Sequence, residues 1–305
     1  MNFTQISLAC SRNLYFARVL KRSSCRLFHT SSPCNGSRVQ LVCDRYEAAG
    51  VTMERANTPL LILHGLFGSK QNWKTLAKSY ATGLNADVYA LDLRNHGESP
   101  HIEPLNYEAL AGDVSEFLKE KNLRKVNILG HSMGGKVAMT LSLTEPAQFE
   151  KLVVVDMSPV TLKLSNDMYS YIDSMKKVEE GRHTKQSAVD MELKRYIPDV
   201  GVRMFLMTNL KMDDNGVYRW RIPLDIIKNH LEDLGDFPVK EGSKQFSKPT
   251  LFVSGSKSHY VQQKYHSTIQ SFFPNVQFTE LDAGHWVHAE KPKEFLDLTM
   301  RFLKQ

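Results

Sequence analysis

From residue 38 onward the chain alternates between two hydrophobic rhythms. Short apolar runs at 39–46, 60–63, 86–93, 126–129, 152–156, 250–254 and 276–281 are bounded by turn residues and rich in Val, Ile, Leu and Phe, which reads as strands. Between the third and fourth of these, "YEALAGDVSEFLKEKN" sets Leu110, Val114, Phe117 and Leu118 on one face of a helix. Near-continuous apolar strands separated by amphipathic helices predict an α/β fold with a mostly parallel, doubly wound sheet covered on both faces. The rhythm breaks from about residue 160 to 248, where charged helical stretches such as "SYIDSMKKVEE" carry no strand signal. The expected organisation is a core formed by residues 36–159 and 247–305 with a helical cap insertion over 160–246. No internal repeat or low-complexity tract interrupts it.

Charge adds a segment in front of that core. Six cations (Arg12, Arg18, Lys21, Arg22, Arg26 and Arg38) precede the first carboxylate, Asp44, and they account for the entire formal net charge of +6. The basic character therefore belongs to the N-terminus and marks no nucleic-acid-binding face on the folded part. Residues 1–35 are Arg- and Ser-rich, acid-free and amphipathic, which predicts a mitochondrial transit peptide and a matrix location. Cations interrupt every apolar run there, so the h-region of a secretory signal is missing, and "RLFHTSS" suits trimming near residue 36. No run of eighteen apolar residues occurs that could span a membrane as a helix. Three of the four cysteines fall in the leader, leaving Cys43 without a disulfide partner, and no HExxH pattern occurs. No metal or other cofactor is expected.

Candidate chemistry begins at "KVNILGHSMGGKV". Gly130-x-Ser132-x-Gly134 joins an apolar strand to a helical pattern, which is the spacing of a nucleophile elbow: glycines allow a turn so tight that the serine stands at its tip. "LLILHGLFGS" ends an earlier strand where backbone N–H groups are needed to hold a developing oxyanion, and the expected donors are Leu66 and Met133. His64 is expected to tie that loop, and "DLRNHGES" to brace it. "LDAGHWVHAEKP" after the last strand supplies His285 as the general base, with His288 at the surface or in a supporting place and His131 structural.

These five motifs in order, "LLILHGLFGS", "ALDLRNHGES", "LGHSMGGKVAM", "VVDMSPV" and "AGHWVHAEKP", resemble the α/β-hydrolase superfamily over about residues 38 to 303. The likeness is greatest to a mitochondrial branch of serine hydrolases and its bacterial esterase relatives. It implies a triad running Ser, acid, His along the chain. Here the sequence departs from the usual pattern, because "VSGSKSHYV" puts Ser258 where the acid commonly falls. Two carboxylates compete for the role: Asp156, ending the strand "KLVVVDMSP", is favoured, and Asp225 in "WRIPLDII" is its rival. The resemblance further implies a serine esterase or lipase acting on acyl esters such as diacylglycerols, and an association with the 2-oxoglutarate dehydrogenase complex. A thioesterase or a C–C bond hydrolase would use the same triad. A non-catalytic binding protein would be expected to lack Ser132 or His285, and both are present. Met204, Phe205, Leu206 and Met207 are the stretch best suited to line an acyl site, although packing within the cap is the favoured reading of them.

Overall fold

The computed structural model describes residues 38–47 and 57–305; the expected transit peptide lies outside them. The first half of the sheet comes from β1 (Cys43–Tyr46), β2 (Leu60–Leu63), β3 (Val88–Leu91), β4 (Val126–His131) and β5 (Phe149–Val155), interleaved with helices α1 (Lys74–Leu84), α2 (Tyr107–Glu120) and α3 (Met133–Thr144). Between β5 and the next sheet strand the chain forms α4 (Asn166–Glu180), α5 (Gln186–Leu193), α6 (Val200–Met207), β6 (Leu210–Met212), β7 (Tyr218–Trp220), α7 (Leu224–Asn229) and α8 (Leu231–Gly235). The sheet resumes with β8 (Thr250–Gly255), α9 (His266–Phe272), β9 (Val276–Leu281), α10 (Val287–Glu290) and α11 (Pro292–Lys304).

Seven strands lie in the order β1-β3-β2-β4-β5-β8-β9. All neighbours are parallel except β1, which runs antiparallel beside β3 at one edge. The short run Leu60-Leu61-Ile62-Leu63 explains why both faces must be covered. Leu61 and Leu63 pack with Leu110, Val114, Phe117 and Val137 of α2 and α3, whereas Leu60 and Ile62 pack with Ala77, Tyr80, Phe295 and Phe302 of α1 and α11. Full burial of each such aliphatic side chain contributes about 2 kcal/mol relative to exposure. The predicted helical face is the buried face of α2, and Asn106 caps that helix by accepting from Ala109 N–H.

The segment between β5 and β8 departs from the expected helices at one place. β6 and β7 form an antiparallel hairpin, with Leu210 opposite Trp220. Its turn is built by Asp213, whose carboxylate accepts from the N–H groups of Asn215 and Val217, and by Gly216 at φ +72°. The strands are three residues each, too short for an alternation to register in the sequence, and the Asp-Asp-Asn-Gly turn is their legible signal.

The topology assembles one working edge. The chain leaves β2 towards β3 on one side and returns to β4 on the other, so a crevice opens at the carboxyl ends of the central strands. The loops after β2, β4, β5, β8 and β9 all emerge there.

Candidate active site

At the carboxyl end of β4 the buried strand turns directly into α3 through Ser132, whose backbone has φ +53° and ψ −117°. Such a conformation costs a non-glycine residue about 1–3 kcal/mol and persists only where the surroundings impose it. The surroundings are visible. A Cβ on Gly130 would lie 2.1 Å from Gly134 O, and one on Gly134 would lie 2.5 Å from both Leu63 O and His64 O. Only hydrogen fits at either place, so the two glycines let strand, helix and the β2 loop close around the serine. Ser132 N–H donates to Val155 O at 3.0 Å, which fixes the tip against β5.

The loop after β2 packs onto this elbow: a Cβ on Gly65 would meet His131 and Ser132 at about 3 Å. His64 Nε2 accepts from Leu93 N–H at 3.0 Å, leaving Nδ1–H to donate to Gly65 O at 2.8 Å. His96 is locked in the same tautomer, accepting from Phe67 N–H at 3.2 Å and donating through Nδ1–H to Arg94 O at 3.0 Å. Both rings are needed neutral, as acceptors. Burial pushes their pKa values down, that of His96 to about 3. Underneath, Asp92 accepts from the backbone and Nζ of Lys70 and from Glu98 N–H. Burial works against its charged form, but these bonds outweigh it and hold its pKa below the ordinary value. The expected bracing by "DLRNHGES" is thus a set of named hydrogen bonds. Met133, at the first position of α3, has its N–H outside the helical ladder beside Ser132.

Of the two candidate acids, the structure brings only Asp156 to the imidazole. His285 Nδ1 lies 2.7 Å from Asp156 Oδ2, and the carboxylate has no exposed surface. It directly follows β5, at φ +49°, and also accepts from Gly255 N–H at 3.2 Å and from the Ser258 hydroxyl. Ser258 therefore stands in the position commonly held by the acid and donates to the carboxylate that replaces it. That partnership was legible only as an anomaly in "VSGSKSHYV". Asp225 is elsewhere: it sits in the first turn of α7, 77% exposed, paired with Lys176. With Nδ1–H donated to Asp156, His285 Nε2 is left as an acceptor.

Two further histidines behave as supports. His131 Nε2–H donates to His285 O at 3.0 Å, joining the elbow to the base loop across 154 residues of chain. His288 is buried and not at the surface. Its ring stacks on Trp73 at 4.3 Å and meets His131 edge-on at 4.5 Å, and burial pushes its pKa down to about 3.

Ser132 and His285 line one apolar pocket of about 640 Å³, counting its solvent-open part, although no hydrogen bond joins them among the described residues. Leu66 and Met133 border it, Phe205 and Leu206 of α6 and Trp286 form much of its wall, and Tyr260 covers His285 with ring centroids 4.4 Å apart. Of the stretch Met204 to Met207, only Phe205 and Leu206 line the pocket; Met207 does not, and Met204 is half exposed, because α6 turns only one side to it. A hydroxyl, an imidazole with a free acceptor and two backbone N–H groups in an apolar cleft are the parts needed for acyl transfer.

Comparison with known proteins identifies the family of the fold. The profile of the α/β hydrolase fold matches residues 58–292. The chain is 40% identical over 267 residues to "Abhydrolase domain-containing protein C22H12.03" of Schizosaccharomyces pombe, covering 87% of this chain and 97% of that one. It is 39% identical over 291 residues to "sn-1-specific diacylglycerol lipase ABHD11" of Danio rerio, covering 93% and 87%. A "Probable alcohol acetyltransferase" of Saccharomyces cerevisiae is 36% identical over 264 residues, covering 81% and 77%. Among solved structures, a marine microorganism esterase superposes with a TM-score of 0.78 at 34% identity, covering 87% of this chain and 99% of its own.

Proposed function

The chain belongs to the α/β-hydrolase family and is a carboxylic ester hydrolase, and from that premise we propose that it cleaves lipid esters, diacylglycerols among them, through an acyl-enzyme on Ser132. One observation carries the reading: Ser132 at the strained elbow lines the same apolar pocket as His285, whose far nitrogen is held by Asp156. Ser132 Oγ attacks the ester carbonyl carbon as its proton passes to His285 Nε2. The tetrahedral oxyanion is held by the N–H groups of Leu66 and Met133, which strengthen their bonds as charge develops. The imidazolium, oriented and stabilised by Asp156, gives its proton to the leaving alcohol oxygen as the C–O bond breaks. Water, deprotonated by the same nitrogen, then attacks the acyl-enzyme, releasing the acid and restoring Ser132.

Residues 160–246 act as a cap in this reading, since α6 and α8 supply wall residues Phe205, Leu206 and Leu234. An apolar pocket receives an acyl chain without a charge to compensate. The name of the zebrafish relative supports a diacylglycerol as substrate. Residence in mitochondria, with support of the 2-oxoglutarate dehydrogenase complex there, extends the proposal; it rests on the basic leader and the family resemblance, and co-purification of that complex with the tagged chain would test the second part.

A second acceptor follows from the yeast relative's name and the pocket's character. An acyl-enzyme in a water-poor apolar site can be released by a small alcohol, forming a new ester in place of an acid. Both outcomes are read in one experiment. The purified chain is given a p-nitrophenyl ester or a diacylglycerol, with and without added ethanol. Ser132→Ala is expected to abolish nitrophenol and fatty-acid release with the fold intact, because the elbow accommodates a methyl group. Activity within about tenfold of the parent would remove Ser132 from the mechanism. Ethyl ester appearing only with ethanol and Ser132 would support the transferase reading, and its absence would oppose it.

A further inference from the structure

We propose that Asn209 is a positioning residue that reaches from the segment between β5 and β8 to hold the oxyanion loop, so that Leu66 N–H meets the developing charge. The inference rests on the roles just assigned to Ser132 and Leu66. Asn209 follows α6 and is fully buried. Its Nδ2 donates to Phe67 O at 2.7 Å and to Leu206 O at 3.3 Å. Both neighbours are carbonyl oxygens, so only the nitrogen end of the amide can face them. Oδ1 has no partner among the described residues. A buried amide with its acceptor unused is less favourable than an apolar side chain of the same shape, so packing does not explain the residue. Its donation to Phe67 does.

Phe67 is where the loop needs holding. Its φ of +60° is uncommon for a bulky residue, and such a conformation must be imposed from outside. The peptide units around Leu66 are each fastened. Gly65 O accepts from Gly68 N–H and from His64 Nδ1–H, and Phe67 N–H donates to His96. The Phe67 carbonyl is secured by Asn209, from the segment that follows α6. Arg221 adds a second tie: its backbone N–H donates to Asn209 O at 2.9 Å and its Nη2 to Ser69 Oγ at 3.0 Å. The base of the β6–β7 hairpin is therefore bolted to the loop that carries Leu66. Without Asn209 the Phe67 carbonyl is left unpaired and the loop relaxes. A loosened oxyanion donor weakens transition-state binding far more than ester binding, because the charge it meets exists only in the transition state.

The test uses the whole chain and a p-nitrophenyl ester. Asn209→Leu keeps the branched shape and removes the donor. Its kcat is expected to fall by about 10- to 100-fold with KM within about threefold of the parent, the signature of a misplaced catalytic group. An alkylboronic acid, whose adduct on Ser132 is tetrahedral and anionic, should lose affinity by the same factor, whereas an ether analogue of the ester should bind as before. A merely structural residue would lower the melting temperature without separating these two ligands. Parental kcat and boronate affinity in Asn209→Leu, with Ser132→Ala inactive, would overturn the inference and leave the triad reading standing. An active Ser132→Ala would remove both. Where Asn209→Leu does not melt cooperatively, Asn209→Ala, which removes the same donor without added bulk, serves in its place: the same fall in kcat at constant KM is expected, and parental kcat would overturn the proposal.

Discussion

At the scale of single residues, the carboxylate assignment follows from which side chains the fold lets touch. Asp156 is held by Gly255 N–H, the Ser258 hydroxyl and His285, whereas Asp225 is solvated beside Lys176. An acid beside the far ring nitrogen keeps the base in the right tautomer and supports the imidazolium. Losing that role costs about 10⁴-fold in kcat in the serine-protease template. Asp156→Asn should therefore fall by about three to four orders of magnitude in kcat, and Asp225→Asn should remain within about threefold, as expected of an exposed ion pair. Asparagine also tolerates the positive φ of this position, so the variant should still fold; thermal melts run beside the kinetics would expose the alternative. A dead Asp225→Asn with an active Asp156→Asn would reverse the assignment.

At the scale of elements, α3 does more than follow the nucleophile. Lys136 is buried on it, and its ammonium donates to Gly235 O and Asp236 O, both at 2.7 Å, at the C-terminal end of α8, while lying 5.4 Å over the Tyr107 ring. Tyr107 of α2 donates to Leu234 O in the same turn. The helix that presents Ser132 is thereby fastened to an element whose Leu234 lines the pocket. Burial lowers the Lys136 pKa to about 8, although Asp236 pulls the other way. The folded value then lies below the unfolded one, so between them the unfolded chain binds more protons and stability rises with pH. The stability of the parent minus that of Lys136→Met should rise from pH 8 to 9.5, by at most about 1.4 kcal/mol per pH unit for one proton. Urea titrations at several pH values read this directly. A difference that stays flat or falls would mean the lysine is less desolvated than its surroundings suggest.

At the scale of the whole molecule, the described residues form a hydrolase core whose working edge is completed by the segment between β5 and β8, and the basic residues 1–35 precede it in the sequence. The proposed address and the proposed chemistry are therefore tested separately. Residues 1–35 fused to a fluorescent protein should carry it into mitochondria, as an acid-free, Arg-rich amphipathic leader does. Secretory or cytosolic fluorescence would refute the address while leaving the esterase reading untouched.

Sequence alone determined the features that depend on local chemistry. Central strands of a parallel sheet read as apolar runs and its edge strands as shorter or alternating ones, so the seven sheet strands were legible within a few residues, and an elbow must have glycines where strand and helix collide, so Ser132 was legible. His285 was legible because it stands in a short turn after the last strand. The partners of these groups were not, because no local pattern records which distant loops share a sheet edge. Asp156 and Asp225 are both acids near a strand or helix end, and only the parallel order of β5, β8 and β9 puts one of them against His285. The same holds for Ser258 beneath that carboxylate, for His131 on the His285 carbonyl and for Asn209 on Phe67. Each is a hydrogen bond across 100 residues or more, and what decides it is how the sheet and the inserted segment close together in space.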